Sequence, residues 1–442
     1  MSLKTPEKVG KLQRALHDKA KRSPDYRFYL LYDKLYRADV IGYAYRLCRH
    51  NGGAPGVDDQ TFEDVATYGE ERWLGEVAES LRKKTYRPEA VRRKWIPKPD
   101  GKQRPLGIPT IRDRVVQTAV ALVLGPIFEA DLQPEQYAYR ADRSALDAVR
   151  TVNEQLRRGY TEVVDADLSG YFDTIPHAEL MKSVARRVSD RHMLHLIKMW
   201  LEAPVEERDE RGRKQRTTRN KDDGRGTPQG GVVSPLLANV YMRRFVLGWK
   251  TLGFERLLDA HIVNYADDFV ILTRRGQARK ALVAMRQMMQ RLRLTVNETK
   301  TRISRLPDET FDFLGYTFGR LYSRRNGRAY LGLQPSRKKI QRVCAAISEL
   351  TDWHKSWQEE GKVVRAVNAK LRGWSNYFSE GTLVHAYEIV MKHTRRRLRH
   401  WLVHKHKIRG DGYARYPSAY LHGKLGLYLL PRCTTGWKRA NP

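Results

Sequence analysis

Acidic side chains stand at the ends of two strand-like segments. Asp267 and Asp268 lie in HIVNYADDFVILT (261–273), and Asp167 lies in YTEVVDADLSGYF (160–172). Three converging carboxylates repel one another unless a divalent cation neutralises them. If Asp167 lies beside the other two, the segments predict a site for two Mg²⁺ ions about 3.5–4 Å apart, which catalyses phosphoryl transfer. Metal would then balance the repulsion, not a basic side chain.

The hydrophobic pattern predicts the elements that position these carboxylates. Apolar runs flank the polar centre of HIVNYADDFVILT, which is typical of a β-hairpin with the aspartates at its tight turn. The alternative is an Asx turn, in which one aspartate bonds its own backbone and no metal is involved. The second acid-bearing strand end favours the metal site.

The rest of the chain reads as mixed helix and strand, with no internal repeat. The predicted elements, in order, are helices over 1–50, a glycine-rich turn at 51–62 before a helix with Trp73, Val77 and Leu81, strands in RRKWIPKPDGKQRPLGIPT, a buried helix in DRVVQTAVALVLGPIF, a solvated hairpin or loop at 206–225, a helix over 276–296, one strand in FDFLGYTFGRLY, and helices from about 335.

The composition points to an anionic partner. The 442 residues include 83 Lys and Arg against 50 Asp and Glu, a formal net charge of +33. Such an excess attracts phosphates without sequence preference, so nucleic acid is the expected partner. No apolar run is long enough to span a membrane and no signal-peptide core is present. The alternative is a basic protein that is merely soluble.

Cysteine usage predicts a reducing compartment. Cys48, Cys344 and Cys433 are far apart and show no zinc or disulfide spacing. We therefore expect a cytoplasmic protein.

Six blocks in order resemble reverse transcriptases of the group II intron type, and the resemblance covers nearly the whole chain. The blocks are IPKPDGKQRPLGIP, VVDADLSGYFDTIPH, GTPQGGVVSPLLANVYM, NYADDFVIL, LTVNETKT and FDFLGYTF. LRGWSNYF resembles the maturase, or thumb, segment of that family. The resemblance implies an α+β right-hand polymerase whose palm holds an antiparallel sheet and whose thumb is helical. The implied division is an N-terminal helical extension at 1–50, fingers at 51–160, palm at 161–334 and thumb at 335–442.

The resemblance also implies roles for single residues. Asp167, Asp267 and Asp268 would be the metal ligands, with Mg²⁺ or substituting Mn²⁺. Phe172 would be the steric gate that rejects a ribose 2′-hydroxyl. The remaining nucleotide-binding residues would be Lys98 and Arg104 at the triphosphate, Gln229 in GTPQGG, and Lys300, which could act as a general acid for pyrophosphate.

Each of these assignments has a simpler alternative. Lys98 and Arg104 could belong to an ordinary solvated hairpin, and Gln229 to a plain turn before a strand. Lys300 could be a surface lysine. In LRGWSNYF, Leu371, Trp374 and Phe378 have helical spacing, which indicates core packing, with exposed binding aromatics as the alternative.

Arginines mark two segments as candidate RNA contacts. The run from Met391 to Arg409 has no acid and favours a phosphate-binding helix, with a solvated helix as the alternative. In QYAYRADRSALDAV the family usually has Phe, Pro and Gly, where this chain has Tyr139, Ala141 and Asp142. That departure puts local template contacts in doubt. The predicted RNA-binding residues are Arg140, Arg143, Arg395, Arg396, Arg397 and Arg399.

The resemblance implies an RNA-directed DNA polymerase that extends a DNA primer and also binds its group II intron RNA as a maturase for splicing and retrohoming into target DNA. The chain ends soon after the thumb, like the compact class that lacks the HNH endonuclease. Rival hypotheses are a domesticated enzyme of DNA repair or phage defence, and a non-catalytic RNA-binding splicing cofactor. The resemblance also implies a bacterial protein within a ribonucleoprotein complex. The sequence leaves the oligomeric state open.

Overall fold

The computed structural model describes residues 3–97, 101, 103–208, 213–227, 230–323 and 326–431. The chain divides into two compact units. Unit 1 comprises residues 1–144, 166–271 and 279–302, and unit 2 comprises residues 145–165, 272–278 and 303–442. The predicted boundary near residue 335 differs from this division, because the strands before it belong to the same unit as the helices after it. The assignment of fingers, palm and thumb stays a prediction.

Helices are the main regular elements of both units. They are α1 (Glu7–Arg22), α2 (Ala38–Asn51), α3 (Phe62–Tyr68), α4 (Glu70–Arg82), α5 (Ile111–Glu129), α6 (Ala145–Arg157), α7 (Tyr171–Thr174), α8 (His177–Ala185), α9 (Arg191–Leu201), α10 (Arg219–Asp222), α11 (Ser234–Thr251), α12 (Phe254–Leu257), α13 (Ala278–Arg291), α14 (Arg337–Leu350), α15 (Glu360–Tyr377) and α16 (Val384–Lys405). No helix among the described residues is long and apolar enough to cross a membrane.

Three small sheets complete the fold. Their strands are β1 (Val91–Pro97), β2 (Gln103–Ile108), β3 (Glu162–Ala166), β4 (Val205–Arg208), β5 (Lys214–Thr217), β6 (Ala260–Tyr265), β7 (Asp268–Thr273), β8 (Arg302–Arg305), β9 (Phe311–Phe313), β10 (Tyr316–Tyr322) and β11 (Ala329–Pro335). The strand orders are β2-β1-β4-β5, β11-β10-β9 and β6-β7-β3-β8.

Most predicted elements are confirmed, and one is wrong. The helix that carries Trp73, Val77 and Leu81 buries all three, and 206–225 contains the antiparallel β4–β5 hairpin. FDFLGYTFGRLY forms two strands, not one, because β9 and β10 pair antiparallel. The chain reverses at Leu314 and Gly315, whose positive φ angles of 49° and 85° suit a tight hairpin turn.

Helix α5 forms the centre of unit 1. It is apolar around most of its circumference and buries residues such as Val115, Val120 and Leu124 completely. Helices α1 and α2 both contact it. The helix that follows β2 in the chain is therefore fixed on several sides, which gives the β1–β2 hairpin a rigid attachment.

A buried polar network joins the start of α5 to the segment before β1. The Tyr86 hydroxyl donates to Asp113 Oδ1 at 2.6 Å, and Trp200 Nε1 donates to the Tyr86 hydroxyl at 3.1 Å. The Glu89 backbone N–H donates to Asp113 Oδ2 at 3.1 Å. Burial raises the pKa of the Asp113 carboxyl to about 6, although its hydrogen bonds, including that from Tyr86, lower it.

In unit 2, α14 contacts both α15 and α16, and the three-stranded sheet precedes them in the chain. Leu371, Trp374 and Phe378 are buried, so the core-packing interpretation of LRGWSNYF is confirmed. The Tyr377 hydroxyl donates to the Leu314 backbone oxygen at 2.7 Å. This bond ties α15 to the turn between β9 and β10.

The Asp113 network predicts a pH-dependent stability difference. The folded-state pKa of about 6 lies above the ordinary value of 3.8, so the folded chain holds the proton longer as pH rises. The contribution of Asp113 to the free energy of unfolding is therefore fully present below about pH 4, and it is lost as pH rises through about 6. Asn cannot ionise, so we expect the free energy of unfolding of Asp113→Asn to rise relative to that of the wild type by up to about 3 kcal/mol between pH 4 and 7. Urea unfolding of both proteins across this pH range measures the difference in free energy of unfolding. A difference that does not change with pH would contradict the raised pKa of Asp113.

Candidate active site

The predicted β-hairpin is confirmed, with one aspartate in its turn. Strand β6 ends at Tyr265, and β7 begins at Asp268, so Ala266 and Asp267 form the two-residue turn. Ala266 has a φ of 59°, an uncommon conformation for a residue with a Cβ. The Asn264 side chain stabilises it by donating from Nδ2 to the Ala266 oxygen at 2.8 Å. The turn therefore presents two consecutive carboxylates at the hairpin tip.

Asp167 follows the strand next to this hairpin. Strand β3 neighbours β7, and Thr273 Oγ1 at the end of β7 donates to the Glu162 oxygen at the start of β3 at 3.2 Å. Neighbouring strands joined end to start in this way run in opposite directions. The end of β3, where Asp167 lies, is consequently on the same side of the sheet as the start of β7, where Asp268 lies.

The carboxylate of Asp167 is held by a basic and an amide group. Its Oδ2 accepts from Lys300 Nζ at 3.2 Å and from Asn297 Nδ2 at 2.9 Å. Within the described ranges, no three or more His, Cys, Asp or Glu side chains are grouped to hold a metal ion. The prediction that no basic side chain balances these acids is therefore wrong for Asp167, because Lys300 reaches it from the segment after α13.

Arg104 and Tyr139 share the surroundings of the hairpin tip. The pKa of the Tyr139 phenol is raised by partial burial and by the negative charges of Asp267 and Asp268, while Arg104 lowers it. Each of these charges is thus close enough to act on one hydroxyl. Arg104 lies on β2 opposite Ile96 of β1. The predicted triphosphate ligand Arg104 and the aspartates of the turn therefore act on the same Tyr139 phenol.

The backbone explains why Tyr139 reaches this place. Asn264 of β6 pairs with the segment before Tyr139: its N–H donates to the Glu135 oxygen, and its oxygen accepts from the Tyr137 N–H, both at 2.9 Å. Tyr139 itself has a φ of 56° and an exposed ring. Its departure from the family pattern thus lies beside the candidate site.

Phe172 is buried beside Tyr171. The two rings contact at a centroid distance of 5.7 Å, and the pKa of Tyr171 is raised by burial first, then by Tyr241 and Asp267. The Phe172 oxygen accepts from the Thr227 N–H at 2.7 Å. Phe172 is therefore tied to the start of the GTPQGG block, and its neighbour Tyr171 is the residue on which the Asp267 charge acts.

Gly230 fixes the other end of that block. A Cβ there would lie 2.2 Å from the Gly107 oxygen of β2, and the φ of 108° favours glycine. The described residues Thr227 and Gly230 of this block thus contact Phe172 and β2 respectively. Gln229, predicted within it, lies outside the described residues, as does Lys98.

Arg140 is an internal residue and not a surface contact. Its guanidinium, with a side chain 8% exposed, pairs with Glu129 Oε1 at 2.6 Å. It also donates to the backbone oxygens of Gln133 and Gln136, both at 2.8 Å. These bonds shape the loop before α6, so the predicted RNA contact is wrong for Arg140. Arg143 is exposed, with its guanidinium 5.4 Å from the centre of the Tyr137 ring.

The arginines of α16 divide between the interior and the surface. Arg399 is buried and donates to the Tyr416 oxygen at 2.7 Å, so the predicted surface contact is wrong for it. Arg397 donates to the Thr351 oxygen at 3.0 Å, and Arg395 donates to a His422 ring nitrogen at 3.0 Å. Arg396 is exposed. Of the four predicted arginines on α16, Arg396 is thus the one that lies fully on the surface.

Sequence reasoning missed three residues of this site. Asn264 stabilises the turn, Asn297 holds Asp167, and Tyr139 lies beside the aspartates. Asn264 and Asn297 belong to blocks that the sequence singles out, NYADDFVIL and LTVNETKT. Polar residues inside such blocks are the signal that could have identified both.

Two family matches cover most of the chain. Residues 96–318 match the family described as reverse transcriptase (RNA-dependent DNA polymerase). Residues 340–416 match the maturase-specific domain of group II introns.

Individual relatives and a solved structure are also similar. Protein YkfC of Escherichia coli strain K12 is 32% identical over 380 residues, which cover 77% of this chain and 96% of YkfC. The group II intron-encoded protein LtrA of Lactococcus lactis subsp. cremoris is 35% identical over 235 residues, which cover 52% of this chain and 37% of LtrA. Apo telomerase from Candida tropicalis, truncated from its C-terminal domain, aligns with a TM-score of 0.40 and 13% identity over 59% of this chain and 60% of that chain.

The first family match alone spans half of the sequence and contains the whole candidate site. The chain therefore belongs to the reverse transcriptase family, as an RNA-directed DNA polymerase with a right-hand polymerase fold and the maturase domain of group II intron proteins.

Proposed function

We propose that this protein extends a DNA primer on an RNA template and that Asp167, Asp267 and Asp268 hold the divalent cations of the reaction. The observation that carries the proposal is the strand arrangement, which puts the end of β3 and the start of β7 on one side of one sheet. The three aspartates offer carboxylate oxygens, which suit Mg²⁺, and Mn²⁺ can substitute for it. Bound cations would neutralise charge on the attacking and leaving oxygens.

The surrounding residues support a role in nucleotide binding. Arg104 lies near the turn aspartates, where a guanidinium can bind a triphosphate in bidentate fashion. Lys98 is proposed as a second triphosphate contact. Lys300 Nζ bonds Asp167 from a side chain that is 62% exposed. Lys300 can therefore turn from Asp167 to a pyrophosphate without crossing the protein interior. Gln229 is proposed as a further nucleotide contact.

Phe172 is proposed as the residue that rejects ribonucleotides. Its ring packs beside Tyr171, and its backbone is fixed by Thr227. An aromatic ring held in this way cannot move aside for a 2′-hydroxyl without breaking those contacts. This rigidity is what a steric gate requires.

We further propose that the protein binds group II intron RNA as a maturase, for splicing and for retrohoming into target DNA. The maturase-specific domain covers residues 340–416, and LtrA is a group II intron-encoded protein. The net charge of +33 favours RNA binding. Arg143 and Arg396 are the exposed members of the predicted RNA-binding set.

Removing the turn carboxylates tests the polymerase proposal. We expect Asp267→Ala with Asp268→Ala to lower Mg²⁺-dependent cDNA synthesis on an RNA template by at least about 10³-fold, because the ligands of the cation are gone. RNA affinity should stay near wild type. Asp308→Ala is the matched control, since that exposed carboxylate pairs with Arg320 at 3.3 Å in unit 2. Primer extension with equal synthesis by all three proteins would refute the metal assignment.

Shortening the Phe172 side chain tests the gate. Phe172→Ala should raise incorporation of ribonucleotides relative to deoxynucleotides by about 10-fold or more, because space opens beside the sugar. Phe172→Tyr keeps the ring and should keep the discrimination. Single-nucleotide extension with both substrate types gives the ratio, and melting temperatures show whether either variant unfolds. A ratio that does not change in folded Phe172→Ala removes the role.

The exposed face of α16 is tested through salt dependence. Arg396→Ala should weaken RNA binding and reduce the slope of log affinity against log salt by about 0.7–0.9 for one lost phosphate contact. Arg72→Ala is the control, because Arg72 is as exposed but pairs with Glu76 at 3.3 Å on α4. Filter binding from low to moderate salt measures both. Identical slopes for the two variants would show that α16 is only solvated.

A further inference from the structure

The segment 297–301, which follows α13, forms several hydrogen bonds with Asp167. Its backbone reaches Asp167 through the Asn297 N–H, which donates to the Asp167 oxygen at 2.8 Å. The Asp167 N–H donates to Thr301 Oγ1 at 3.4 Å. Side chains add the bonds from Asn297 Nδ2 and Lys300 Nζ to Asp167 Oδ2. Both the main chain and the carboxylate of Asp167 are therefore held by residues 297–301.

The Asn297 amide is itself oriented by a neighbour. Thr299 Oγ1 donates to Asn297 Oδ1 at 2.8 Å. If the amide were reversed, its NH₂ group would face the hydroxyl and its oxygen would face the Asp167 carboxylate, which only accepts hydrogen bonds. The observed chain of bonds, from Thr299 to Asn297 to Asp167, fixes which end of the amide meets the carboxylate.

Asn297 and Lys300 differ in what they can do for Asp167. Lys300 is a charged group on a long, mostly exposed side chain, and it can leave for another anion. Asn297 is neutral and short, and its backbone is already bonded to Asp167. It can thus restrict rotation of the carboxylate without neutralising it, and it occupies only one of the two oxygens.

We propose that Asn297, oriented by Thr299, is a positioning residue that fixes the Asp167 carboxylate for nucleotidyl transfer. The inference rests on the proposed role of Asp167. Groups that hydrogen-bond a ligating carboxylate typically contribute about 10–100-fold to metal affinity or activity. Among the described residues, Asn297 is the one whose neutral side chain bonds the Asp167 carboxylate. Removing that side chain should therefore lower metal affinity or activity by an amount in this range.

Side-chain variants separate this role from a structural one. We expect Asn297→Ala to lower the single-turnover rate of primer extension about 10–100-fold, with the KM for deoxynucleotide changed by less than about 3-fold. Thr299→Val should lower the same single-turnover rate by a smaller factor. Thr299→Ser keeps the hydroxyl and should therefore have the wild-type rate. Glu298→Ala is the control, since its carboxylate pairs with Arg286.

A second readout does not depend on turnover. Mn²⁺ is titrated into the full chain bound to primer and template, without nucleotide, and free Mn²⁺ is followed by its electron paramagnetic resonance signal. Weaker Mn²⁺ binding by Asn297→Ala and Thr299→Val, at an unchanged melting temperature, supports positioning. Wild-type rate and Mn²⁺ affinity in folded Asn297→Ala overturn it.

Asp167→Ala distinguishes this failure from failure of the proposed function. If Asp167→Ala abolishes synthesis while Asn297→Ala behaves like wild type, only the positioning role is lost. If Asp167→Ala synthesises normally, the proposed metal site fails, and the inference fails with it.

Discussion

Electrostatic repulsion between neighbouring carboxylates is the constraint on which the site depends. Asp267 and Asp268 are consecutive, and Asp167 ends the strand next to theirs. Such charges stay together only if the backbone is held rigidly and cationic or hydrogen-bonding groups are brought to them. The fold does both. Residues 269–272 are buried, which fixes the strand behind the acids, and Lys300 donates directly to Asp167.

The supporting bonds come from segments that are distant in sequence. Asn264 stabilises the turn from within the hairpin, the segment at 135–137 pairs along the outside of β6, and residues 297–301 hold Asp167. Each support uses backbone groups or neutral amides for most of its bonds. Neutral donors fix a carboxylate while leaving its charge for a ligand, whereas a full complement of basic side chains would compete with that ligand.

Local pattern was enough to predict the hairpin, the buried α5 and the core residues of LRGWSNYF, because alternation and helical spacing report burial directly. Pattern alone could not assign partners. Nothing in the spacing of Lys300 shows that it pairs with Asp167, and nothing in a run of arginines shows that Arg140 bonds loop oxygens. Such pairings depend on which distant segments meet. The hairpin turn at Leu314 was also not predicted, because leucine rarely adopts a positive φ angle.

The buried arginines change how the net charge of +33 relates to RNA binding. Guanidinium groups have five donors and suit clusters of loop carbonyls, and Arg187, Arg140 and Arg399 are used in this way.

Helical phase separates such residues from surface cations. On α16 the buried positions include 391, 394, 398 and 402. An exposed row at four-residue spacing begins at Glu388 and continues through Lys392, Arg396, His400 and His404. The row could have been derived from the sequence by placing Leu398 and Leu402 inward. Arg399 falls outside it, because it follows a buried position on the side that the loop around Tyr416 covers. Phosphate contacts on this helix should therefore be sought along that single row, and not throughout the arginine run.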